Sequence, residues 1–170
     1  MSLSQPRAMR KPLAAALLVA ATCVHAQDAT FTVRMMTVET ALGAARAALE
    51  NCRSAGYQVA VAVVDRAGIT QVLLRDRYAG PHTVEMAVDK AWTAVSFRTS
   101  TAALAGATES GKPLSGIRQR PRVAAVGGGL VVEGAGAMLG GIGVSGAPGG
   151  ELDEACARAG ILAVQSQLDF

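Results

Sequence analysis

Tyr57-Gln58-Val59-Ala60-Val61-Ala62-Val63-Val64-Asp65 is the stretch on which the fold turns. In an extended chain Val59, Val61 and Val63 point one way and Ala60, Ala62 and Val64 the other. Both sides are apolar, so the segment reads as a central strand. Its small alanine side lets a helix come close. Asp65-Arg66-Ala67-Gly68 is a turn signal, and Ile69 to Arg75 is the returning strand of a β-hairpin.

On the N-terminal side, Asp28 to Met36 reads as an extended lead-in. Val38, Leu42, Ala45, Leu49 and Cys52 then recur at helical spacing. Thr37 suits the N-cap, Glu39 the first turn, Arg53 the last turn and Gly56 the stop. On the C-terminal side, Ala79-Gly80-Pro81 breaks the chain and a second helix runs from His82 to Phe97. Val84, Ala87, Val88, Ala91, Ala94 and Val95 form its core stripe. Met86, Lys90, Thr93 and Phe97 form another, so this helix has a second partner, either a ligand or a subunit. Thr101 to Ala107 suits a short helix, and Gly111 to Pro121 a loop, with Arg118, Arg120 and Arg122 clustered there.

The remainder is glycine-rich, with 11 of 19 glycines between Gly127 and Gly150. Val123–Val126, Leu130–Val132 and Ala137–Val144 read as short strands, and Glu151 to Gln167 as the last helix. The class is α/β (α+β): a single two-layer domain whose mainly antiparallel five-stranded sheet packs with helices.

The first 26 residues read as an address. Arg7, Arg10 and Lys11 precede the uncharged run Leu13–Cys23, which at 11 residues falls short of the roughly 20 that span a bilayer. Val24-His25-Ala26 offers small residues at the two positions a signal peptidase reads, so cleavage is expected after Ala26. The mature domain is then 27–170, periplasmic or secreted, with no membrane insertion. Of 16 basic residues the leader takes three, leaving 13 against 13 acidic ones. The formal excess of +3 thus belongs to the leader, and nothing basic enough for nucleic acid is left. Aromatics at 4% exclude a base-stacking platform. Charged residues at 17% against 51% hydrophobic point to buried subunit contacts, hence a homo-oligomer.

The chemistry-bearing residues are few. Gly141-Ile-Gly-Val-Ser-Gly146 matches a dinucleotide fingerprint in letters only, because its alternation is that of a strand and no helix opens inside it. His82 is the only histidine after cleavage, at a helix start where the dipole favours a neutral ring. It is either a ligand or a surface residue. With Met86 and Lys90 it falls at i, i+4, i+8. Arg75 ends a strand, where it either grips a carboxylate or pairs with Asp65 or Asp76. Lys90 either snorkels or pairs with an acid. Cys52 and Cys156 form a disulfide if the two terminal helices are neighbours, and are otherwise small buried residues. No obvious nucleophile is present, which weighs against an enzyme; proton transfer is the chemistry such an enzyme would use.

Several stretches, in order, resemble the GlcG/HbpS-like haem-binding family, whose domain also occurs at the C-terminus of PduO-type proteins. They are Val61-Ala-Val-Val-Asp65 with Gly68, Arg75-Asp76, Lys90-Ala-Trp-Thr-Ala94, Ser100-Thr101, Gly127-Gly-Gly-Leu130, Gly140 to Gly146, and Asp153-Glu154. The resemblance covers Val38 to Val164. It implies an antiparallel α/β domain that forms multimers and a small-molecule ligand, haem or a related tetrapyrrole. On that reading Met86, Thr93 and Phe97 wall the site, Arg75 and Lys90 supply polar contacts, and His82 is the metal ligand. An oxygen from Thr93 or Thr101, or a ligand from a neighbouring subunit, is the other choice, with the tetrapyrrole held between subunits. The mature N-terminus lacks the extra histidines of some extracellular members. The other reading is an enzyme or accessory protein acting on a small carboxylate, as in glycolate-utilisation settings.

Overall fold

In the computed structural model, residues 29–169 are described. The leader expected over 1–26 lies outside them, as does Asp28 of the lead-in. The chain divides after Thr32. Of the first unit, residues 29–32 carry no helix or strand. The second unit, from Val33 on, holds every element below.

Helix α1 (Val38–Ser54) leads into strands β1 (Ala60–Asp65) and β2 (Thr70–Arg75). Helices α2 (His82–Phe97) and α3 (Thr101–Ala107) follow, then a 3₁₀ turn (Ser115–Gln119). Strands β3 (Gly129–Gly134) and β4 (Ala137–Ser145) and helix α4 (Gly150–Leu168) complete the chain. The sheet is antiparallel throughout, in the order β2-β1-β4-β3. The central strand is central, and its two faces part as the alternation demands. Val59, Val61 and Val63 join α1 and α4 in the main core. Ala60 and Ala62 meet Ala87 of α2, and Val64 meets Ala91 and Val95.

The α/β class and the antiparallel sheet stand; two details differ from expectation. Helices cover both faces, so there are three layers and not two. The sheet also has four strands, not five, because Val123–Val126 is irregular. Ala124 N–H donates to Thr93 Oγ1 (3.0 Å), and that hydroxyl donates to the carbonyl of Arg122 (3.1 Å). The segment is thus pinned by a side chain of α2 and spends those backbone groups there, outside any ladder.

Small residues set how closely the layers approach. A Cβ on Gly143 of β4 would lie 2.1 Å from the Ala87 carbonyl, so α2 rests directly on the strand backbone. That is what the G-x-G-x-x-G letters encode here. On the other face the buried side of α1 is Ala41, Ala44, Ala45, Ala48, Leu49 and Cys52, while Val38 is exposed. Ala44 and Ala48 lie against Gly160 of α4, and Leu49 shares that core. Thr37 caps α1, its hydroxyl accepting from Thr40 N–H. Cys52 and Cys156 join α1 to α4 in a disulfide that links positions 104 residues apart, with Cα atoms 5.5 Å apart. Among the described residues no helix is long and apolar enough to cross a membrane.

Candidate functional site

The six residues singled out in the sequence do not form one wall. His82 opens α2 and is exposed, its ring lying against the Cα of Gly80. Met86, one turn on, is also exposed, and Phe97 is half-buried at the helix end. Lys90 and Thr93 are buried. Four residues make 400° of helical rotation, so the i, i+4, i+8 series drifts about 40° per step. By Lys90 it has turned from solvent into the protein. Thr93 pins the 122–124 segment, and Arg75 gives Nη1 to the carbonyl of Ala79, holding the turn before α2. Asp76 pairs with Arg53, not with Arg75 (Arg53 Nε to Oδ1, 2.6 Å). Lys90, Thr93 and Arg75 each brace the fold through these bonds. Among the described residues no group of three or more His, Cys, Asp and Glu converges as a metal site.

Lys90 carries the strongest electrostatic feature. Its Nζ lies 2.7 Å from Asp153 Oδ2 and donates to the Val144 carbonyl at 2.9 Å. Both side chains are almost wholly buried. Asp153 Oδ1 accepts from Ala147 N–H. Burial pushes the Asp153 carboxyl up from its ordinary value, and the Lys90 ammonium opposes that rise. The pair fastens the first turn of α4 to α2 past the end of β4.

That fastened helix start forms one wall of an open groove of about 650 Å³. Ala102 and Ala105 of α3 line one side, Gly150, Glu151, Glu154, Ala155 and Arg158 of α4 the other, and Ala125, Val126 and Gly127 the floor, with Arg118 at the rim. The floor is backbone against backbone: a Cβ on Gly127 would lie 2.8 Å from the Gly150 carbonyl oxygen. Small residues make up much of the lining, with the carboxylates of Glu151 and Glu154 and the guanidiniums of Arg118 and Arg158 beside them. Arg118 donates to Thr108 and to the Ala105 carbonyl, closing the C-terminal end of α3. Arg158 Nη2 donates to Glu154 Oε1 (3.0 Å). Glu154 Oε2 is withdrawn from water with no hydrogen-bond partner among the described residues.

Sequence reasoning missed Arg118, Glu154 and Arg158 as groove residues. The arginine cluster was visible, and Asp153-Glu154 appeared among the family-like stretches. What brings them together is the reversal of the chain between α3 and β3, which no local pattern reports.

Comparison with known proteins follows this architecture. Residues 36–162 match the profile of the family described as haem-degrading protein HbpS-like. The chain belongs to that HbpS-like family. A solved variant of HbpS from Streptomyces reticuli is 41% identical, with a TM-score of 0.75, covering 85% of this chain and 98% of that one. The solved haem complex of PduOC is 30% identical, with a TM-score of 0.71, covering 76% and 94%. The corrinoid adenosyltransferase PduO of Salmonella typhimurium is 35% identical over 103 residues, 59% of this chain and 31% of that protein. The chain thus spans about a third of the length of that relative.

Proposed function

We propose that this chain is an exported haem-binding protein that works as an assembly of copies and holds haem in the groove between α3 and α4. The observation that carries the reading is a groove lined largely by small residues and flanked by Arg118 and Arg158, in a chain 30% identical to PduOC, which has been solved with haem. A tetrapyrrole needs flat apolar walls and cationic partners for its propionates. Ala102, Ala105, Val126 and Ala155 offer the first, and the two guanidiniums the second. Each guanidinium has five donors, more than its bonds to the protein use. When bound, haem would supply a metal centre with open coordination chemistry. The chain's own part is to hold it, orient it and limit water. The reading is of binding, with no turnover assigned.

Export rests on the leader pattern and agrees with the Cys52–Cys156 bridge, since such bonds persist in oxidising compartments. Assembly rests on the low charged fraction, 17% against 51% hydrophobic.

Titrating the chain beginning at Gln27 with hemin, followed at the Soret band, tests the function. A saturable shift is expected. A linear, non-saturating absorbance overturns it.

A further inference from the structure

The lead-in before α1 has the pattern of a strand without being one. Phe31, Val33 and Met35 alternate with Thr30, Thr32 and Arg34, which gives an extended chain one apolar side. The run carries no helix or strand, and Phe31, Val33 and Met35 are 87%, 40% and 51% exposed. Met36, the next residue, is buried, and its carbonyl accepts from Gln71 Nε2 (3.1 Å). With the leader cut after Ala26, the lead-in is a free end that can lie on a neighbour without threading.

The outer edge of β3 is the matching surface. Val144 N–H donates to the Gly128 carbonyl (2.9 Å). By antiparallel alternation Leu130 and Val132 then bond to β4, while Gly129 and Val131 turn their backbone groups outward. Gly129 N–H goes to Thr101 Oγ1 (2.8 Å). The outward N–H and carbonyl of Val131 have no partner among the described residues. Beside this edge runs a groove of about 410 Å³, with Leu130, Val131, Ile161 and Leu162 in its lining and Leu162 67% exposed. An open edge next to an apolar groove is a template for an added strand. The charges also match: residues 29–36 hold one cation, Arg34, and no acid, whereas β3 holds one acid, Glu133, and no cation.

We infer that the lead-in of one copy adds as a fifth strand to the β3 edge of a second copy, its apolar side lying against Ile161 and Leu162. The inference rests on the assembly reading and the cut after Ala26, and it names the contact that holds the copies together. Arg158 lines this groove and the proposed haem groove alike, so the second copy's arm borders the ligand.

Sedimentation velocity of the chain beginning at Gln27 tests the contact, with circular dichroism to check the folding of each variant. Wild type should sediment as an assembly. Phe31→Ser with Val33→Ser removes the apolar side of the arm, and Leu162→Glu spoils the groove. Each change should weaken assembly on the order of tenfold or more, and combining them should add little, because both break one contact. Assembly that either change leaves intact overturns the inference while the assembly reading stands. A wild type that stays monomeric defeats the assembly reading itself, and the inference with it. A mixing experiment separates exchange between copies from an arm folded onto its own chain. Val33→Cys and Leu162→Cys chains, mixed under mild oxidation, should give a dimer cross-linked between those two positions, identified by peptide mass. Val33→Cys mixed with Ile69→Cys, an exposed position beside the opposite edge strand, should not. Equal cross-linking to both positions, or none to Leu162→Cys, overturns the inference.

Discussion

Lys90 Nζ and Asp153 Oδ2 meet at 2.7 Å, with the two side chains only 3% and 5% exposed. The pair joins α2 to the first turn of α4 and so fixes the α4 side of the groove. Lys90→Met leaves Asp153 buried without its partner, and such losses cost about 3–5 kcal/mol. Combining Lys90→Met with Asp153→Leu should restore part of that, because an apolar pair replaces the buried ion pair while the Val144 carbonyl and Ala147 N–H lose their side-chain partners. Urea unfolding of the three chains checks both statements.

The same pair gives a pH signature. Lys90 opposes the rise of the Asp153 carboxyl, so Lys90→Met should push that carboxyl further above its ordinary 3.8. A carboxyl raised in the folded state binds its proton more tightly there than in the unfolded chain. Its favourable contribution is complete below 3.8 and is lost as pH rises through the raised value. The stability deficit of Lys90→Met relative to wild type should therefore shrink on acidification through that window. A deficit independent of pH there would contradict the assignment.

The Cys52–Cys156 bridge closes a loop of about a hundred residues, for which chain-entropy arguments give about 4–5 kcal/mol. Guanidinium unfolding of the oxidised chain against Cys52→Ala/Cys156→Ala should show a loss of that order.

Gly143→Ala places a methyl 2.1 Å from the Ala87 carbonyl, and α2 must lift. Overpacking of this kind costs about 1–3 kcal/mol. The G-x-G-x-x-G run should also give no thermal shift with dinucleotides, since Gly141 to Ser145 is strand and α4 begins only at Gly150.

What was legible in the sequence and what was not divide along the range of the interaction. The hairpin of β1 and β2 was readable because alternating Val and Ala dictate both faces over consecutive residues. The limits of α2 were readable because Gly80-Pro81 and the following periodicity are local. Val123–Val126 was not, because an apolar run looks like a strand until Thr93, some 30 residues earlier, claims its backbone. The role of Lys90 was half-read: pairing with an acid was one of its two expectations, but Asp153 lies 63 positions away. The groove was invisible for the same reason. Arg118 and Arg158 come to it from a loop and a helix, and small residues that look like filler make its walls.

The central claim is that haem occupies the groove between α3 and α4, and its most direct test is to fill that groove. Ala155 is exposed and lines it, so Ala155→Trp can fold while blocking the slot. Hemin titrations of wild type and Ala155→Trp, with matching circular dichroism, decide the matter. The account predicts a saturable Soret shift in wild type that the tryptophan variant loses. An equal, saturable shift in both would contradict it.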